Sequence, residues 1–176
     1  TFLAIFTHKF NPKSYDLKKN IRSDFNDYEK FCSDNNIPLI TIDNVNEKVR
    51  LEKFCSEHEF DFLISVSWRY LIPSTIFSKS KIGSFNIHRG SLPKYAGIEP
   101  IKQALKNCEK NIEICSHEII DKIDAGKIFT KISHPVNYNH DYSLDENVHR
   151  LKNEIPSHFA DLTLKSINIL CDNDLE

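Results

Sequence analysis

Phe85-Asn86-Ile87-His88-Arg89-Gly90-Ser91-Leu92-Pro93-Lys94-Tyr95-Ala96-Gly97 joins two different local signals. Over residues 84–88 the apolar Phe85 and Ile87 alternate with Asn86 and His88, the period of a strand end. Side chains two apart on a strand share a face, so Asn86 and His88 project side by side. An amide and an imidazole placed together suit an acyl-transfer site, because both can hydrogen-bond to one oxygen as negative charge develops on it. The turn that follows holds Gly90, Pro93 and Gly97, residue types that fix a path without regular structure. On these residues alone, a strand followed by a turn accounts for the pattern.

A second stretch changes the balance. Residues 114–129 run Ile-Cys-Ser-His-Glu-Ile-Ile-Asp-Lys-Ile-Asp-Ala-Gly-Lys-Ile-Phe, a strand, a short acidic loop and another apolar run. Asn-x-His at 86–88, Pro-x-Tyr-x-Gly at 93–97 and Ile-Asp-Ala-Gly at 123–126 together resemble the signature of the folate-dependent formyltransferases. That family includes the phosphoribosylglycinamide, methionyl-tRNA and nucleotide-sugar formyltransferases. Several separate elements agree in order and spacing, and the resemblance covers most of the chain.

The 176 residues suit one domain, residues 1–176, with a sizeable core. Net charge is −2 with both signs intermixed, so no basic face points to nucleic acid. The five cysteines show no metal-type spacing, and no leader or long apolar run is evident. They read as reduced thiols of a cytoplasmic protein that acts away from membranes, each a small core hydrophobe. The histidines are not paired at metal-ligand spacing, so no metal is expected.

Along the chain, residues 2–6 form an apolar run expected to be a strand buried on both faces. Residues 8–22 are polar and read as a loop. Phe25, Tyr28, Phe31 and Cys32 recur at helical spacing, with Asn35-Asn36 as the stop. Strands are expected at 38–42, 60–66, 84–88, 112–119 and 127–136. Val45 to Cys55 suggests a second helix, and a short one should follow Pro73. Pro100 opens another, in the one turn that tolerates it. Ser143-Leu144-Asp145-Glu146 has the form of a capping box, and Pro156 should break the helix it starts. Alternating strands and helices predict an α/β fold, a Rossmann-like, mostly parallel sheet with helices on both faces.

Against the family, the chain is expected to lack the first strand–helix unit, because the run at Phe2 resembles the relatives' second strand. An absent central strand would leave two inner edges unpaired. An N-terminal segment is therefore expected to be omitted, removed or replaced.

Formyl transfer to an amine needs oxyanion donors, a proton acceptor and a group that sets the donor's protonation. It needs no covalent intermediate, so no activated Ser or Cys is required. The resemblance implies Asn86, His88 and Asp124 as the catalytic trio, matched position by position. A carboxylate near His88 should favour its imidazolium and raise its pKa. Asp121, three residues earlier, is a rival to Asp124 that more simply shapes the loop, and an Asp before Ala-Gly can be an ordinary turn residue. His117 reads as structural, or as a support behind the catalytic residues.

The resemblance further implies 10-formyltetrahydrofolate as formyl donor, held by residues 67–73 after the third strand. Trp68, Tyr70, Leu71 and Ile72 would form one wall, and Asp121 and Ile123 the other. Trp68 could equally be a buried core aromatic. The acceptor would be a small-molecule amine, either a nucleotide-linked amino sugar or glycinamide ribonucleotide. Oligomeric state stays open, with a homodimer among the alternatives.

Gly90 stands where many relatives carry Ser, which removes a hydroxyl beside the catalytic strand. Residues 98–101 lean towards the tRNA and sugar branches, and Val148, His149 and Glu154 towards the glycinamide ribonucleotide branch. Two other functions share these features: formyltetrahydrofolate hydrolysis and non-catalytic folate binding. A plain dinucleotide-binding domain lacks support, because no Gly-x-Gly-x-x-Gly occurs among only four glycines.

Overall fold

The computed structural model describes residues 1–12 and 16–173, and for Asn173 the backbone alone. Of the loop expected at 8–22, residues 13–15 lie outside the described residues. Two compact units result, Thr1–Phe60 and Asp61–Glu176.

In the first unit, β1 (Ile5–Thr7) pairs in parallel with β2 (Leu39–Thr41), Ile5 opposite Leu39. The first strand is shorter than its apolar run. Phe2 and Leu3 precede it and are 59% and 44% exposed, which corrects the expectation of burial on both faces. Helix α1 (Phe25–Asp34) buries Phe25 and Cys32, and Asn36 past its end takes φ 54, a conformation an Asn tolerates. A 3-10 turn over Val45–Lys48 leads into α2 (Val49–Glu57). Asn44 caps that turn, its side chain accepting from the amides of Asn46 and Glu47. Phe54 of α2 meets Phe6 edge to face at 5.4 Å.

The second unit contains all but the first residue of β3 (Phe60–Val66), then α3 (Ser74–Phe77), β4 (Ser80–His88), α4 (Pro100–Lys106), β5 (Asn111–Glu118) and β6 (Ile128–Pro135). Then come α5 (Leu144–Glu154), a 3-10 turn (Ile155–His158) at Pro156, and α6 (Phe159–Asn173). The strands lie in the order β3-β4-β5-β6. The α/β, Rossmann-like class is the one found. Within the second unit, β4–β5 and β5–β6 are antiparallel ladders. For β5 and β6 the reason is the short connection, which can only return the chain antiparallel.

Alternation along β4 and β5 sorts their side chains. Ile87, Ile112 and Ile114 join a core with Ile101 and Leu105 of α4, Val148 and Leu151 of α5, and Leu162 of α6. Leu151, Leu162 and Ile114 are fully buried. Truncating one such side chain to Ala costs about 2–5 kcal/mol. Ser116, on the same face, is bonded by the Ser166 hydroxyl of α6 at 2.5 Å. The Ser143–Glu146 capping box forms as expected. Buried Asn147 gathers the preceding loop, donating to the carbonyls of Asn139 and Ser143 and accepting from the Asn139 amide.

Among the described residues, no helix is long and apolar enough to cross a membrane, and no cluster of three or more His, Cys, Asp or Glu could hold a metal ion.

Candidate active site

The opposite face of β4 and β5 carries the polar residues. Asn86 and His88 project from it together, and the register places His117 directly across from Asn86. His88 and His117 are 7% and 3% exposed. The β5–β6 ladder slips between Ser116 and His117, a bulge beside the residue that faces the site.

Asp124 arrives from the loop after β5. Its φ of 49 is left-handed, which a short polar residue tolerates. Gly126 lets the loop fold onto β5, since a Cβ there would lie 2.1 Å from the Glu118 carbonyl oxygen. The carboxylate is thereby placed between the two imidazoles. Oδ2 stands 3.3 Å from His88 Nδ1 and accepts the Gly97 amide at 2.8 Å. Oδ1 stands 3.3 Å from His117 Nε2. The Asn86 amide nitrogen is 3.2 Å from that same His117 Nε2.

Carbonyl oxygens at the far side of each ring fix where a hydrogen sits. His88 Nε2 donates to the Tyr95 carbonyl at 2.7 Å, and His117 Nδ1 donates to the Glu118 carbonyl at 2.8 Å. The ring nitrogens that remain both face Asp124. One further proton between carboxylate and imidazole turns either contact into a charge-assisted bond, and proton exchange through this unit is what the arrangement provides.

Burial resists ionisation of Asp124, but its contact with His117, the bond from the Gly97 amide and the adjacent His88 imidazole outweigh it and hold the carboxyl below its usual range. For His88 the balance corrects the sequence expectation. Burial lowers its pKa by more than Asp124 and the Tyr95 carbonyl raise it, so the ring rests neutral near pH 7.

The structure brings Asn86, His88 and Asp124 together and adds His117. Read from the sequence as structural or as a support, it touches two of the three. Asp121 points to solvent rather than into this cluster, as does Ile123, which is 63% exposed. Trp68, Tyr70, Leu71 and Ile72 follow β3, the strand beside β4. The Trp68 and Tyr70 rings meet edge to face at 6.0 Å, and Leu71 is 51% exposed. Ile72 is 8% exposed, so its side chain is covered by the protein itself.

Gly90 also acquires a reason. A Cβ there would lie 2.6 Å from Pro100 Cβ, 3.1 Å from Tyr95 Cβ and 3.2 Å from His88 Nε2. The hydroxyl expected from the relatives has no room here.

The chain is 29% identical over 140 residues to the methionyl-tRNA formyltransferase of Halalkalibacterium halodurans, a match covering 80% of this chain and 42% of that protein. It thus spans about two-fifths of that relative's length. In fold it resembles phosphoribosylglycinamide formyltransferase from Bacillus halodurans, with TM-score 0.62, 18% identity, and 78% of this chain and 73% of that one covered. It also resembles HypX from Aquifex aeolicus, solved with tetrahydrofolic acid, with TM-score 0.64, 15% identity, and 97% of this chain and 27% of that one covered. The family model described as formyl transferase matches residues 11–160. The chain belongs to the formyl transferase family.

Proposed function

We propose that the chain transfers a formyl group from 10-formyltetrahydrofolate to the amine of a small acceptor. The observation that carries this is the Asp124 carboxylate, held between His88 and His117 beside the Asn86 amide. As the amine attacks the formyl carbon, its C–N bond forms and the carbonyl oxygen takes up negative charge. Asn86 meets that oxygen with an N–H. The amine's proton passes to Asp124 and is shared with His88, so that a ring neutral at rest becomes an imidazolium as the oxyanion forms. Charge then appears where it is needed, in a site the protein has largely desolvated. Collapse breaks the donor's C–N bond, and the same proton leaves with the donor nitrogen.

The donor's ring would be held by Leu71 and Ile123, apolar yet half or more exposed, with Trp68 and Tyr70 beside them. Asp121 offers a carboxylate to its polar edge. Ile72 would contribute through its backbone. The acceptor is a nucleotide-linked amino sugar or glycinamide ribonucleotide, a reading supported by a net charge of −2 with no basic stretch for a nucleic acid.

Incubation with 10-formyltetrahydrofolate and a panel of such amines, followed by mass spectrometry, tests this. One amine should gain a formyl group. Formate release without any amine would mean hydrolysis instead, and folate binding without turnover would mean a binding module.

A further inference from the structure

His88 is gripped from a residue whose other end lies outside the site. The Tyr95 carbonyl takes the His88 Nε2 hydrogen at 2.7 Å, and the Tyr95 ring is 3% exposed. Its hydroxyl donates to Glu109 Oε1 at 2.6 Å and accepts from the Asn107 amide at 3.2 Å. Lys94 reaches the same Glu109 oxygen at 2.5 Å. Glu109 follows α4, where its amide bonds the Ala104 carbonyl. Tyr95, Lys94 and Glu109 line a surface cavity of about 550 Å³ whose walls include neither Asp124 nor His88.

We propose that Tyr95, clamped through its hydroxyl by Glu109, is a positioning residue that holds the His88 imidazole with Nδ1 turned to Asp124. This rests on the formyl-transfer reading of the site. Residues 89–99 form an irregular connection, so a backbone carbonyl within it stays in place only if something anchors it. The Tyr95 amide bonds the Ser91 carbonyl at 2.7 Å, and the ring adds a second anchor, the bond from its buried hydroxyl to a carboxylate, the stronger kind. The Lys94–Glu109 pair is exposed and adds little by itself. Gly90 shows that the grip has no slack: a Cβ there would crowd Tyr95 and His88 alike.

The test compares Tyr95→Phe, Glu109→Ala and Glu109→Gln in the whole chain, following His88 by NMR titration and the reaction by kcat and donor KM. Tyr95→Phe and Glu109→Ala should each lower kcat about tenfold, the scale of one hydrogen bond, with KM unchanged. The His88 titration should move to lower pH, because the carbonyl that favours its imidazolium is loosened. Asp124, His117 and Arg89, which also act on His88, stay as they are. Glu109→Gln keeps an acceptor and should recover most of both effects. A lowered melting temperature with the His88 titration unmoved would overturn the proposal, whatever happens to kcat. If the parent chain transfers no formyl group yet the titration shifts, the positioning role stands and the formyl-transfer reading falls.

Discussion

Asn86 and His117 are partners across β4 and β5, and the Asn86 amide nitrogen lies 3.2 Å from His117 Nε2. The contact orients the amide proposed to meet the oxyanion. It also ties that amide to the imidazole beside Asp124, so the proposed donor and proton acceptor share one support.

His117→Phe should therefore impair catalysis although His117 need touch no substrate. Ring volume is roughly kept, while both polar contacts are lost. We expect kcat to fall by about ten- to a hundredfold with folate binding retained, as when an orienting partner is removed. Stopped-flow kinetics alongside a folate titration would check it.

Asp124→Asn removes the proposed proton acceptor but keeps the shape. The rate should drop by about a hundredfold or more. Equilibrium binding of folate should persist, because the apolar contacts are elsewhere. An unchanged rate would remove Asp124 from the chemistry.

Acidification should destabilise the fold in two stages. The folded-state pKa of His88 is depressed, so the unfolded chain binds more protons between that value and about 6.5, and stability falls as pH drops through this window. Asp124 is also depressed. Its contribution is present above the unfolded value of about 3.9 and is lost as pH falls through the lower folded one. Urea unfolding across this range should show the first loss reduced in His88→Asn and the second in Asp124→Asn.

Gly90→Ser should not restore a missing function. Its Cβ would sit 2.6 Å from Pro100 Cβ, so α4 or the turn must shift. A loss of about 1–3 kcal/mol is expected, read from the urea midpoint, together with a slower reaction from a displaced His88.

Much of this site is legible in the residues themselves. Asn86 and His88 reveal their common face through strand alternation, whereas Asp124 is told from Asp121 only by the family resemblance at Ile123-Asp124-Ala125-Gly126. Ser143 and Glu146 announce a helix start with local chemistry alone. His117 is harder, because its importance comes from the register that sets it opposite Asn86, and pairing between distant strands is not a local property. A search for a polar residue in the site's face of each neighbouring strand would have found it. The lowered pKa of His88 was also out of reach, since it depends on how much protein surrounds the ring. Phe2 and Leu3 misled for the converse reason: apolar character reports what a residue would gain from burial, not whether a neighbour covers it.

The Ser166–Ser116 hydroxyl pair fastens α6 to the position next to His117. Helix α6 is thus a brace on the back of β5, the strand that carries His117. Clipping it away, or tugging on it through a fused passenger, would loosen the imidazole one residue along and quench the chemistry at a distance.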